Sequence, residues 1–239
     1  MEHEEPRLAE ALTEERAWEA EGITVLTASV TLPQLAGSGG RVKRFNRYYR
    51  RFCRAYFTYC KQILLPEAAD SCRAAMSVSA PWEAARAELR FRVTRHTGGL
   101  LSIVCDARET ISGLPPFLIR RSEVWETASG LPLPLEEFFP PHTRCKKQLL
   151  RVAREETQRR VALGAAYRDN WRAMLRRALD VRNYYLEDSG LCFFYPLCAV
   201  AGAKEGIVTF TMPYDAEFGP FPPPEEGPLT EDQFSISSM

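Results

Sequence analysis

Histidine is nearly absent from this 239-residue chain, which has three: His3, His96 and His142. The scarcity excludes most catalytic dyads and imidazole metal sites, since imidazole is the usual general base and the commonest metal ligand. His3 falls in an acidic terminus, His96 in a predicted hairpin turn and His142 just after Pro140-Pro141. Cys145 with His142 lacks a third, orienting group, so a structural thiol and a surface histidine are the expected roles. No Cys-x-x-Cys occurs among the seven cysteines; Cys192 and Cys198 lie six apart, Cys53 and Cys60 seven apart. Their odd number and scattered positions suit reduced core thiols. No apolar run nears the roughly 20 residues of a membrane span, and no secretory signal precedes a cleavage site. Gly37-Ser-Gly-Gly40 has no lysine with which to cradle phosphate. The expectation is a cytoplasmic, non-membrane protein that is not an enzyme, with no catalytic residues, no metal and no cofactor.

Net charge is also missing, but only on average. Residues 1–21 carry eight acids against Arg7 and Arg16, and residues 215–239 carry six acids and no Lys or Arg. The body, 22–214, therefore holds 29 basic and 17 acidic side chains. Such a partition speaks to partners and to self-association rather than to fold.

What is present is a mixed pattern. Residues 6–20 are rich in helix formers and predict a helix stopped by Gly22. Ile23 to Leu32 is β-branched and predicts a strand ending at Pro33. From Arg41 to Leu64, apolar residues Val42, Phe45, Tyr49, Phe52, Tyr56, Tyr59 and Ile63 recur at three- and four-residue steps, one face of a long helix. Pro66 is expected to end or break it, with a short helical piece to about Met76. A helical turn leading into a strand is read over 83–93. A hairpin through His96-Thr-Gly-Gly99 into the strand Leu100–Ala107 follows, then a strand at about 118–127. Helices are predicted over 145–161 and 167–181, a hairpin over 183–197 turning at Asp188-Ser-Gly190, and a last strand over 206–212. This gives an α+β fold, an antiparallel sheet with helices packed on one face. Three segments are expected: an acidic helical extension at 1–22, the α+β domain at 23–214, and a disordered acidic, proline-rich tail at 215–239.

The sharpest local signal is the basic helix. Arg44, Arg47, Arg50, Arg51 and Arg54 belong to a stretch with no acid between 41 and 61, interleaved with aromatics. They are candidate binding residues for nucleic acid or another polyanion. The plainer reading is an amphipathic helix with an aromatic core side and solvated arginines. Arg-rich helices at 145–181 carry Glu155, Glu156, Asp169 and Asp180 as neutralising neighbours.

Several segments, in order, resemble one family. Thr31-Leu-Pro-Gln-Leu35, Val42 to Asn46 and Leu100-Leu-Ser-Ile-Val104 are the first three. The turn and short helix Thr127-Ala-Ser-Gly-Leu-Pro-Leu-Pro-Leu-Glu-Glu-Phe-Phe139 and the hairpin Asn183-Tyr-Tyr-Leu-Glu-Asp-Ser-Gly-Leu-Cys-Phe-Phe-Tyr195 complete the set. Together they resemble the C-terminal domain of RsiV-type anti-sigma factors and PdaC-type deacetylases, a domain of unknown function. The chain departs from that pattern at Glu109-Thr-Ile-Ser-Gly-Leu-Pro-Pro116, where the family's glycine- and histidine-bearing loop is absent. The resemblance implies a non-catalytic protein-binding or regulatory module with an unknown partner. It implies lysozyme as one such partner, which the positive body and the cytoplasmic expectation disfavour. Nucleic-acid or polyanion binding through helix 41–61 is the alternative.

Overall fold

A computed structural model describes residues 7–223. Strands β1 (Leu12–Ala20), β2 (Ile23–Leu32), β3 (Ala85–Thr97), β4 (Leu100–Thr110), β5 (Phe117–Glu126) and β6 (Leu131–Pro132) form one sheet in chain order. Every neighbouring pair is antiparallel except β2 with β3, which run parallel from Leu26 opposite Ala85 to Thr31 opposite Arg90. A parallel pair needs a crossover. Here it is a helical one, α1 (Gly40–Tyr59) and α2 (Leu65–Ser77).

β1 corrects the expected N-terminal helix. Its residues favour a helix locally, but Glu21 and Gly22 both take positive φ (53° and 77°) and close a two-residue hairpin that pairs Ala20 with Ile23. That turn is the one that matches the twist of two paired strands. Trp18 then packs on Phe57 of α1 at 6.3 Å, and the Arg16 guanidinium lies 4.1 Å from the same ring. Helix propensity, under about 1 kcal/mol per residue, yields to this pairing. The segment is therefore the edge strand of the sheet rather than an extension. Residues 1–6 lie outside the described residues.

α1 forms where the spacing predicts and buries Val42, Phe45, Tyr49 and Tyr56 of the expected face, with Cys53 and Phe57 beside them. Phe52 and Tyr59 are only partly buried, and Ile63, beyond the end of α1, is exposed. Trp125 of β5 is the centre of that contact, with Phe45 and Tyr48 rings at 4.8 and 5.0 Å and its indole N–H donating to the Tyr49 hydroxyl at 3.1 Å. Asn46 accepts from the Leu35 N–H (2.8 Å) and donates back to its carbonyl (3.0 Å), fixing the chain between β2 and the helix. Gly130, at φ 65°, presses the β5–β6 turn onto the first turn of α1. A Cβ there would sit 2.5 Å from the Arg41 carbonyl oxygen.

Pro66 does not end the helical run. Cys60–Leu64 widens into a π turn, with the Leu65 N–H bonded to the Cys60 carbonyl. Pro66 falls in the first turn of α2, where its missing N–H costs nothing.

The second half of the chain makes a separate three-stranded antiparallel sheet, β7 (Tyr184–Glu187), β8 (Gly190–Phe194) and β9 (Thr209–Met212), in that order. It packs against the first sheet on the face opposite α1. Val104 meets Tyr185, Cys192 and Phe194 there. The Ser102 hydroxyl oxygen accepts from the Leu186 N–H at 2.9 Å, and the Ser122 hydroxyl donates to the Tyr184 carbonyl at 2.6 Å. The far face of this sheet, including Leu186, Leu191, Phe193 and Phe210, is covered by α3 (Cys145–Ala162) and α4 (Trp171–Ala178) through Leu149, Ala153 and Leu175.

The α+β class expected from sequence is thus present, with α1 and α2 on one face of the six-stranded sheet. The second sheet is new. All five residues of β8 are buried, and a strand covered on both faces shows no polar alternation to reveal which sheet it joins.

The predicted disordered tail is ordered over its first part. The Asp215 carboxylate accepts from the N–H groups of Glu217 and Phe218, and the Phe221 N–H donates to the Phe138 carbonyl at 2.7 Å. Residues 224–239 lie outside the described residues.

Candidate functional site

The arginines singled out in the sequence are where the helix period places them. Arg44, Arg47, Arg50, Arg51 and Arg54 are all exposed on α1. Lys43, Arg47, Arg50 and Arg54 follow one stripe about 16 Å long. Arg44 and Arg51 share a different flank with Tyr48 and Ala55, at steps of four, three and four residues. Arg44 donates to the Ser129 carbonyl at 2.8 Å. Among the described residues no ion pair engages Arg47, Arg50, Arg51 or Arg54. On α3, by contrast, Glu155 pairs with Arg151, and Glu156 with Arg159 and Arg160. Those arginine hydrogen bonds hold the Glu156 carboxyl down at about 2.

No group of three or more His, Cys, Asp or Glu among the described residues could hold a metal ion. Among the described residues no helix is long and apolar enough to cross a membrane. The Cys145 thiol donates to the Thr143 carbonyl at 3.5 Å.

The flank carrying Arg44, Tyr48, Arg51 and Ala55 overhangs a feature that sequence reasoning missed, the outer edge of β5. β5 pairs with β4 from Phe117 to Glu126, but on its other side β6 meets only Trp125 and Glu126. β6 is short because Pro132 and Pro134 cannot continue a ladder. The Val124 and Glu126 carbonyls turn toward β6, accepting from the Leu133 and Gly130 N–H groups at 2.7 and 2.8 Å. Backbone alternation then sends the N–H and C=O groups of Leu118, Arg120 and Ser122 the same way. Among the described residues no strand lies there.

A hollow flanks this edge on each face of the strand. On the α1 side a cavity of about 310 Å³ is walled by Phe52, Ala55, Tyr56, Tyr59, Ile119 and Arg121, with Leu89 and Ala107 beneath. On the second-sheet side a cleft of about 500 Å³ runs between β5 and Asp180, Arg182, Asn183 and Leu197. Ile119 and Arg121 border both. At the entry to β5, Leu114 is 62% exposed and Phe117 49%.

The polar groups of this region are unevenly satisfied. Glu109 is buried, and its carboxylate accepts from the Tyr59 hydroxyl at 3.0 Å. Among the described residues, its second oxygen and the Tyr56 hydroxyl are buried without a hydrogen-bond partner. Burial pushes the Glu109 carboxyl above the ordinary range, the Tyr59 hydrogen bond opposing it. Glu123 accepts from the Tyr48 hydroxyl, and burial raises its carboxyl too. Asp106 takes both arms of Arg120, at 2.7 and 2.9 Å, and Asp180 pairs with Arg182 at 2.7 Å. The Arg121 guanidinium lies 5.6 Å from the centre of the Phe52 ring, and no carboxylate pairs with it among the described residues. The acids along the edge are engaged, whereas Arg47, Arg50, Arg51 and Arg54 of α1 enter no ion pair among the described residues.

Comparison with known proteins places the fold in company. A family model described as "Protein of unknown function (DUF3298)" matches residues 136–215, one third of the chain, which holds α3, α4 and the second sheet. A crystal structure of a DUF3298 family member from Bacteroides fragilis superposes with a TM-score of 0.60 at 13% identity, covering 87% of this chain and 90% of that one. A DUF3298 family protein from Pseudomonas aeruginosa gives a TM-score of 0.55 at 10% identity, with the same coverage of 87% and 90%. At such identities the likeness is one of fold. No curated protein matches the chain.

Proposed function

Starting from this shared fold, whose family carries no assigned activity, we propose that the protein is a non-catalytic binding module that takes an extended segment of a partner protein as an added strand on the edge of β5. One observation carries the reading: a strand edge that no other described strand pairs beyond Trp125, with a hollow on each of its faces. An added strand draws affinity from main-chain hydrogen bonds and specificity from pockets for alternate side chains. Leu118, Arg120 and Ser122 supply the first. The cavity under α1 and the cleft beside Arg182 and Asn183 supply the second. Exposed Leu114 and Phe117 extend the apolar surface at one end of the edge.

Recognition suits this region better than catalysis because its carboxylates are held by tyrosine hydroxyls or arginines rather than set beside a nucleophile. The resemblance of the hairpin and turn motifs to the sensor domain of RsiV-type anti-sigma factors, itself a protein-binding domain, supports the same reading.

Leu118→Pro is the test. The Leu118 N–H points to the open side, so proline removes no bond to β4 while blocking one needed by an added strand. Decapeptides selected from a random display library on the full chain should bind Leu118→Pro at least about tenfold more weakly, with the melting temperature little changed. Amide exchange in the unaltered chain at Leu118, Arg120 and Ser122 should slow when such a peptide binds. Peptides that bind both proteins alike and leave those three amides exchanging freely would refute strand addition.

A further inference from the structure

We propose that the segment bound at β5 is acidic and patterned: an apolar residue opposite Ile119, a carboxylate opposite Arg121, and no carboxylate opposite Glu123. The proposal rests on the strand-addition reading above and gives it a ligand class.

The pattern follows from the face of β5 that looks toward α1. Ile119, Arg121 and Glu123 are successive residues on that face, because side chains alternate along a strand. Residues of an added strand sit directly opposite them, close enough to pair. The residue opposite Ile119 lies over the aromatic cavity formed by Phe52, Tyr56 and Tyr59, which suits an apolar side chain. The residue opposite Arg121 meets a guanidinium that lies over the Phe52 ring and enters no ion pair among the described residues. A carboxylate there would give Arg121 a cross-strand ion pair, as Asp106 of β4 already gives Arg120. Glu123 is already bonded by Tyr48, and a second acid beside it would meet like charge.

The surrounding field has the same sign. Arg51 shares the flank of α1 that overhangs the edge, and Arg47, Arg50 and Arg54 line the next stripe, all exposed and outside any ion pair among the described residues. The acids nearest the edge, Asp106, Glu109, Glu123 and Asp180, are each taken by an intramolecular partner. Of those acids Asp106 and Asp180 are neutralised by arginines, while Glu109, buried, and Glu123, half-buried, are bonded by tyrosine hydroxyls. The exposed charge along the α1 side is that of the arginines, which steers an acidic partner and repels a basic one. The arginines that look like a solvated helix face in the sequence become the outer wall of the binding groove.

Two synthetic peptides test this, each an alternating threonine strand with one leucine. In the first a glutamate stands two positions from the leucine; in the second a lysine replaces that glutamate. At low salt the glutamate peptide should bind the full chain at least about tenfold more tightly, and the preference should shrink at high salt. Arg121→Glu should reverse the preference toward the lysine peptide. Arg121→Gln should abolish it without reversing it. Arg121 is exposed, so both variants should fold as the parent does. Equal binding of the two peptides, lost in Leu118→Pro, would overturn the acidic pattern and leave strand addition standing. Equal binding that Leu118→Pro does not affect would overturn both. A single-stranded oligonucleotide that displaces the glutamate peptide and depends on Arg121 as strongly would also overturn the pattern, because it would make the arginines a phosphate rail.

Discussion

Replacing Glu109 by glutamine should make the protein more stable at neutral pH. Glu109 is 5% exposed, has no cation paired with it among the described residues, and leaves one carboxylate oxygen without a hydrogen bond. Burial raises its carboxyl above the ordinary carboxylate range. The sign follows from linkage: the folded chain holds this proton more tightly than the unfolded chain. Its contribution to stability is therefore full below the ordinary carboxylate pKa and is lost as the pH rises through the raised folded value. At pH 7 the fold either keeps a carboxylate in an apolar aromatic setting or retains a proton against the bulk; both cost free energy. Glutamine preserves the shape and an acceptor for the Tyr59 hydroxyl while removing the charge. Removing the buried charge, or the proton held against the bulk, is worth about 1–2 kcal/mol. Urea unfolding followed by the fluorescence of Trp125, packed against Phe45, Tyr48 and Tyr49, would measure it at several pH values. The gain of Glu109→Gln should be largest near pH 7 and should vanish below the ordinary carboxylate range, where both proteins are neutral at this position. Glu123 also carries a raised carboxyl, but it titrates in both proteins and cancels in the difference. A variant less stable than the parent at pH 7, or a gap independent of pH, would refute the reasoning.

Ser102, fully buried, ties the two sheets by accepting from the Leu186 N–H at 2.9 Å and sharing a 2.8 Å hydrogen bond with the Thr94 hydroxyl. Ser102→Ala strands the Leu186 donor and should cost about 2 kcal/mol in the same unfolding assay, whereas Ser77→Ala, on an exposed helix end, should stay within about 0.5 kcal/mol. A thiol titration with an aromatic disulfide should find one fast cysteine in the native protein, because Cys198 alone of the seven is not buried. Burial pushes Cys53 and Cys192 up to about 11 and Cys60 to about 12, which withholds the reactive thiolate. Cys198→Ser should abolish the fast reaction, and unfolding the parent should release all seven; a second fast thiol in the native protein would contradict the packing.

Elements whose signal is local were legible in the sequence. Apolar spacing from Val42 to Tyr56 determined α1 and its buried face, because a helix repeats its environment every three to four residues. Ser129-Gly130 and Asp188-Ser-Gly190 marked turns that the structure contains. The exposure of Arg44, Arg47, Arg50, Arg51 and Arg54 followed from the same helical period. Other features needed distant partners. Residues 12–20 prefer a helix on their own and become β1 only because the Glu21-Gly22 turn folds them onto β2. Cys192 and Phe194 face one sheet while Leu191 and Phe193 face the helices, and that double burial erased the pattern by which a second sheet might have been read. Tyr59 meets Glu109 across fifty residues, and the open edge of β5 exists because Pro132 and Pro134 lead β6 away after two residues. The sequence by itself thus determined α1 and those hairpin turns, where the contrast between a buried and a solvated face is written into neighbouring residues. It did not determine β1, whose local preference is helical. Only the tertiary structure decided which strand stays unpaired and which side chains surround it, because an empty place beside a strand is a property of everything that packs elsewhere.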